Sequence, residues 1–254
     1  MNIIHVLAGP LAGGAETLVR DLSCAQVASG DNVLVIFLDD AVSVNRSAQF
    51  QVEYLNSLDR GNVAYTFLSN STRTKSPFRL IKAVFEFRGV VKRFSADVVH
   101  MHLLRGLVLG ELGVITIPKF YTHHNSVIRS TPLIFRLLLR NVRSVIGISE
   151  EISGYLDELG VRSVLIPNAI DSQSVIRRTS PVTCLKRGIM VGRLAAQKNY
   201  LRTIEALAAL PSDITVDIYG DGYQKELIQQ SIEEFGVQDR VTLKGNCPTV
   251  RQRY

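Results

Sequence analysis

Short apolar runs rich in β-branched residues alternate with stretches of helical period along almost all of this 254-residue chain. That alternation limits the fold more than any other feature. Strand-like runs fall at Asn2–Leu7, Asn32–Leu38, Val63–Leu68, Asp97–His100, Lys119–Thr122, Ser144–Ile148 and Ser163–Ile166. Helical patterns lie between them near Ala15–Ser29, Pro77–Phe94, Leu103–Gly113, Pro132–Arg140 and Glu150–Leu159. Runs that are apolar on both faces and separated by helices predict βαβ units and a parallel sheet covered on each side. Around Pro167-Asn-Ala-Ile-Asp171 the rhythm stops and a Ser/Thr-rich stretch follows. It restarts with strands at Gly188–Val191, Thr215–Tyr219 and Arg240–Leu243 and helices at Asn199–Leu210 and Gln224–Phe235. We therefore expect a complete Rossmann-like domain over 1–167, a linker over 168–183 and a partial second Rossmann-like domain over 184–254, an α/β protein throughout.

Several classes are disfavoured at once. Charged residues interrupt every apolar run before it reaches membrane-spanning length. MNIIHVLAGP has no basic leader and reads as a first strand, not a signal peptide. Cys24, Cys184 and Cys247 are odd in number and lack metal-ligand spacing, which predicts a reducing, cytoplasmic setting. The net charge of +6 is concentrated: Arg73 to Arg143 holds thirteen Lys or Arg against Glu86, Asp97 and Glu111. Such asymmetry predicts an anionic partner surface. No nucleic-acid-binding motif accompanies it, so nucleic acid is not expected as a partner.

Four segments carry candidate chemistry. In AGPLAGGAETLV, Gly13 and Gly14 precede a helix, where a phosphate can approach the backbone N–H groups; a plain tight turn with Glu16 in the first helical turn is the simpler reading. The spacing is not GxGxxG, which disfavours a nicotinamide dehydrogenase. ADVVHMHLL and YTHHNS place His100, His102, His123 and His124 at neighbouring strand ends, where parallel sheets bind ligands. Neither carboxylate nor Cys stands at metal-ligand spacing beside them. In GRLAAQKN, Arg193 can fork onto phosphate oxygens, Lys198 adds a compact charge and Asn199 can cap the next helix; either cation alone also suits a solvated loop. In IYGDGYQKEL, Gly220 and Gly222 allow close backbone approach or simply a strand-to-helix turn. Finally, Arg136, Arg140 and Arg143 fall on one face of a Leu-rich helix, suited to an anionic membrane or to simple solvation.

In order, GGAETLV, DVVHMH, YTHHNS, IGISEEI, IPNAID, GRLAAQKN and IYGDGYQKELI resemble the family 4 retaining glycosyltransferases of the GT-B fold (glycosyl transferases group 1). The resemblance runs from the first strand to about Gly245. It implies two Rossmann-like domains, with a nucleotide-diphosphate sugar held mainly by the second and the acceptor by the first. Arg193 and Lys198 match the cationic pair on the donor diphosphate, and Gly13-Gly14 the loop approaching that diphosphate. His124 matches the active-site His near the sugar, with His102 a weaker match and His123 exchangeable with His124 by a one-residue shift. No metal or other cofactor is implied, because cations stabilise the leaving diphosphate. The family also has a pair of glutamates seven residues apart and a final helix, for which no place exists after Gly245, so the second domain is expected to be truncated. Two functions follow: a retaining hexosyltransferase for a glycan or lipid-linked acceptor in cell-surface polysaccharide assembly, peripheral on the cytoplasmic membrane face, or a non-catalytic remnant or binding subunit of that family.

Overall fold

In the computed structural model, Asn2–Leu7 forms β1 and is paired in parallel on both sides, with β2 (Asn32–Phe37) and β4 (Val98–His102). The structure describes residues 1–10, 13–40, 48–69, 76–114, 116–124, 131–169, 186–245 and 247. Most of the expected linker, Arg129, Cys184 and the end of the chain from Pro248 onward lie outside the described residues. β3 (Ala64–Phe67), β5 (Lys119–His123), β6 (Ser144–Gly147) and β7 (Val164–Leu165) complete a parallel sheet of order β3-β2-β1-β4-β5-β6-β7. Chain order reverses between β1 and β4. That reversal creates a crevice at the carboxyl ends of these strands, the usual ligand position of open α/β sheets.

The helices of this unit are α1 (Gly14–Ala28), α2 (Ala48–Arg60), α3 (Pro77–Phe94), α4 (Leu103–Gly113), α5 (Pro132–Leu138) and α6 (Glu150–Glu158). Local sequence sets their ends. Pro77 opens α3, where its missing N–H costs no hydrogen bond, and Ser95 closes it in the left-handed conformation. Ser149 accepts from the Ile152 N–H at 3.2 Å to cap α6, with Glu150 and Glu151 in the first turn.

The two faces of the sheet bury different sets, as the period of two requires. Ile4, Val6, Val99, Met101 and Tyr121 pack with Phe87 of α3, Leu107 of α4 and Phe135 of α5. Ile3, Leu7, Val33, Val35 and Phe37 pack on the other side with Val19 of α1 and Tyr54 and Leu58 of α2.

Several expectations shift. α2 was not anticipated; only Tyr54 and Leu58 of it are buried, too thin an apolar stripe to stand out in sequence. β4 runs to His102 and β5 to His123, so His100 is inside its strand and His102 ends it. The expected helix from Pro132 to Arg140 stops at Leu138, because the chain turns at Leu139 to enter β6. Only Arg136 is therefore helical. Arg140 stands in the following turn and Arg143 just ahead of β6, so the three do not share one helical face, although all are exposed.

The chain divides into units Met1–Val175 and Ile176–Tyr254. In the second, β8 (Arg187–Val191), β9 (Thr215–Tyr219) and β10 (Val241–Gly245) form a parallel sheet of order β10-β9-β8. α7 (Tyr200–Ala208) and α8 (Lys225–Glu234) contribute Tyr200, Ile204, Leu207, Ile228 and Ile232 to its core. This is the α/β architecture of one full parallel-sheet unit followed by a smaller one.

Candidate functional site

Alternation along three strands decides which histidines meet. His5 on β1 is in register with His100 on β4, and His102 is in register with Thr122 on β5. Residues two apart share a face, so His5, His100, His102, Thr122 and His124 project to the α1 side. His123 projects to the opposite side, where its Nδ1 lies 2.9 Å from the Tyr121 hydroxyl and its ring packs near Phe135. The structure thus separates His123 from His124, and His123 belongs to the core. The fifth histidine, His5, joins the cluster. Sequence reading missed it because it sits mid-strand in an apolar run; the available signal was its odd position in β1, shared with Ile3 and Leu7.

A continuous line of ring nitrogens results. Gln26 Oε1 of α1 lies 2.8 Å from His5 Nε2, His5 Nδ1 3.1 Å from His102 Nε2, and His102 Nδ1 3.1 Å from His124 Nε2. His5 and His102 are buried. The His100 ring lies tilted against that of His102 with centroids 4.2 Å apart, and His100 Nε2 is 2.8 Å from the Thr122 hydroxyl. Burial lowers the His5 pKa to about 4, with Gln26 opposing it, and holds His102 well below its ordinary value. Burial, then the neighbouring His123, lowers His124 to about 4. These rings are therefore neutral at physiological pH, each with one N–H and one lone pair. His5, His100 and His102 bring one nitrogen each within 4.8 Å of one another, a spacing that a metal ion can occupy. Both nitrogens of His5 and of His102, however, are engaged in the line just described.

Immediately after His102, Leu103 has φ of +70°, a conformation that is strained in a non-glycine residue. The chain passes from strand to α4 here without a spacer. On β1's side of the crevice, Gly13 is the N-cap of α1 and Gly14 its first residue. The Glu16 carboxylate fills the space beside Gly13, where a Cβ would collide with it, whereas nothing lies within 4 Å of a Cβ placed on Gly14. The open backbone is that of Gly14.

In the second unit, GRLAAQKN leaves the carboxyl end of β8. Leu194 and Ala195 are buried, while Arg193 and Lys198 are exposed. A single 3₁₀ turn, Ala196–Lys198, brings the chain to Asn199, whose left-handed backbone (φ of +55°) makes the corner into α7. Asn199 stands at the N-cap position, but its side chain forms no capping bond; the expected cap is replaced by a backbone corner that Asn tolerates well.

The GDG loop after β9 locks this segment in place. The Leu194 N–H donates to the Asp221 carbonyl at 3.0 Å, the Gln224 N–H to the Leu194 carbonyl at 3.2 Å, and the Gly192 N–H to the Tyr219 carbonyl at 3.0 Å. The Tyr200 hydroxyl donates to the Gly192 carbonyl at 2.9 Å, and the Ala196 N–H to the Tyr223 hydroxyl at 3.2 Å. A Cβ on Gly220 would strike the Gly192 carbonyl oxygen, and one on Gly222 the Leu194 carbonyl oxygen. Gly220 also has φ of +143°. These glycines serve loop-to-loop packing. What the packing holds is a pair of cations, Arg193 and Lys198, neither of which forms an ion pair among the described residues.

The cationic surface is likewise partly resolved into roles. Lys119 is buried and neutralised by Glu111 at 2.6 Å, with its Nζ also donating to the Val114 carbonyl at 2.9 Å. Beside exposed Arg136 and Arg140 stand Leu133, Ile134 and Leu137, 77%, 53% and 64% exposed. Among the described residues no helix is long and apolar enough to cross a membrane.

Comparison with known proteins fits this architecture. Residues 12–174 match the model of Glycosyltransferase Family 4 and residues 183–254 that of Glycosyl transferases group 1. Anabaena HepE, solved with UDP and glucose, is similar in fold over 100% of this chain and 71% of its own, with a TM-score of 0.80 and 19% identity. The lipopolysaccharide outer core galactosyltransferase WaaB is similar over 100% of this chain and 71% of its own, with a TM-score of 0.66 and 19% identity. The GtfA subunit of the UDP-N-acetylglucosamine–peptide N-acetylglucosaminyltransferase of Streptococcus gordonii is 40% identical over 63 residues. That match spans 23% of this chain and 12% of the relative.

Proposed function

The chain belongs to Glycosyltransferase Family 4, and on that premise we propose that it transfers a sugar from a nucleotide-diphosphate donor to a glycan or lipid-linked acceptor, with retention of anomeric configuration, in cell-surface polysaccharide assembly. The observation that carries this reading is the Arg193–Lys198 pair, without an ion pair among the described residues and carried by a backbone that the GDG loop fixes at the carboxyl edge of the second sheet. Charge builds on the diphosphate as the glycosidic bond breaks. A guanidinium that forks onto phosphate oxygens and an ammonium beside it stabilise that charge best when they are already in place. These cations supply what a metal ion supplies elsewhere, so the chemistry proposed here requires none. The open backbone of Gly14, at the start of α1 beside Gly13, suits close approach of a phosphate.

His124, supported by His102, serves the transferred sugar. A neutral ring suits this task, because a hydroxyl can be held without placing a second cation near the reacting centre. Uridine nucleotides head the donor candidates, since the HepE structure holds UDP and glucose and the streptococcal relative is named for UDP-N-acetylglucosamine. The polysaccharide role draws support from WaaB. We assign the exposed Leu133, Ile134 and Leu137 with Arg136, Arg140 and Arg143 to docking on the anionic inner face of the cytoplasmic membrane: apolar side chains insert and the cations meet lipid phosphates.

The test is a panel of radiolabelled nucleotide sugars with membrane lipid extract. Transfer or donor hydrolysis that is abolished by Arg193→Ala with Lys198→Ala supports the enzyme. Donor binding without turnover supports instead a binding subunit, and absence of both overturns the reading. Co-sedimentation with vesicles containing anionic lipid, reduced when Leu133, Ile134 and Leu137 are changed to Ser, tests the docking face.

A further inference from the structure

We propose that Gln26 is a positioning residue which, through His5 and His102, fixes His124 in the Nε2–H tautomer and so presents His124 Nδ1 as a bare hydrogen-bond acceptor. The inference follows from proton counting along the line. The Gln26 side-chain oxygen, 2.8 Å from His5 Nε2, can only accept, so that nitrogen carries the proton. A neutral His5 then has a lone pair on Nδ1, and His102 Nε2, 3.1 Å away, must donate to it. His102 is left with a lone pair on Nδ1, to which His124 Nε2, again at 3.1 Å, must donate. The last free atom is His124 Nδ1. It is buried and has no hydrogen-bond partner among the described residues.

The opposite polarity fails at this end. It would leave a buried N–H on His124 Nδ1 with no acceptor among the described residues, and orphaned buried N–H groups are rarer than unfilled acceptors. The relay also requires that no ring gain a second proton, which the depressed pKa values of His5, His102 and His124 ensure. Gln26 is only partly buried on α1, so its amide nitrogen can be met by water while its oxygen holds His5. The orientation of the Gln26 amide thus decides which kind of atom His124 offers, with two rings between them. That the acceptor meets a hydroxyl of the transferred sugar rests on the reading in the preceding section; the tautomer itself does not.

Long-range proton–nitrogen correlation NMR on the whole chain labelled with 15N-histidine, without donor and near neutral pH, reads the tautomers directly. The expected wild-type result is His124 protonated on Nε2 and bare on Nδ1. Gln26→Met removes the anchor, and both His124 nitrogens should move to intermediate shifts as the tautomers interconvert. Gln26→Glu, which can only accept, should restore the single Nε2–H form, a rescue that a merely space-filling role would not produce. His102→Phe cuts the line with Gln26 intact and should release His124 as Gln26→Met does. A wild-type His124 protonated on Nδ1 overturns the proposal, as does a His124 spectrum unchanged in either Gln26→Met or His102→Phe. Because these spectra need no donor, a chain that binds no nucleotide sugar defeats the functional reading alone.

Discussion

The histidine line of the first unit and the cationic loop of the second solve the same problem, holding a functional group still, by opposite means. The first is buried and uncharged, and its members fix one another through side-chain nitrogens. The second is exposed and charged, and among the described residues no hydrogen bond or ion pair holds the Arg193 or Lys198 side chain; the backbone beneath them is fixed by close loop contacts instead. The difference follows from solvation. A buried imidazole can be oriented by neutral hydrogen bonds at little cost, whereas a guanidinium and an ammonium that must receive a diphosphate have to remain hydrated and unpaired until it arrives. Order is therefore built into side chains in one unit and into glycines in the other.

The two regions should therefore fail differently. The largest effect is expected from Arg193→Ala combined with Lys198→Ala, which should lower transfer by about 10³-fold while shifting unfolding free energy by no more than about 0.5 kcal/mol. Parallel activity assays and denaturant titrations measure both. A comparable loss of stability would mean that the cations are structural after all.

Acid should act on the other region. The His5 pKa is about 4 in the folded chain and near 6.5 when unfolded. Between these values the unfolded state binds more protons, so stability is full above the upper value and falls as pH drops through the window, by about 3 kcal/mol for His5 once pH reaches the lower one. Denaturation followed from neutral pH to about pH 4 should show this slope, and His5→Asn should remove that residue's share of it. A slope identical in the variant would contradict the burial of a neutral ring.

Next in size is Gly222→Ala. Its new methyl meets the Leu194 carbonyl, and we expect about 2 kcal/mol of destabilisation, with weaker donor binding because the Arg193 backbone shifts. Thermal melting with and without uridine diphosphate separates the two effects. The smallest is Gly14→Ala. With open space around it and a helical position, alanine should leave stability unchanged or slightly raised, yet lower donor affinity about tenfold by keeping the backbone from the phosphates. Unchanged affinity would remove Gly14 from the diphosphate site.

How much of this could be read beforehand differs between the regions too. GRLAAQKN and the GDG motif are contiguous, so sequence exposes all their members, though not that Gly220 and Gly222 face another loop's carbonyls. The histidine line is assembled from β1, β4, β5 and α1, with directly hydrogen-bonded partners up to 97 residues apart. Position near strand ends marks His100, His102, His123 and His124, but register alone recruits His5 and sends His123 to the other face, and no local pattern marks Gln26. The strand order that brings β1 beside β4 is likewise invisible to periodicity, which reports elements and faces but not neighbours. Arg140 and Arg143 show the converse: helical spacing continues in the sequence past Leu138, where the chain itself turns toward β6.

Alternation in β5 has a consequence for descent. Tyr121 and His123 face one way, Thr122 and His124 the other. A substitution there alters one contact, but the insertion or loss of a single codon between Phe120 and His124 would hand the core's ring to the crevice and the crevice's ring to the core. Within this strand, therefore, related genes should carry point changes without insertions or deletions.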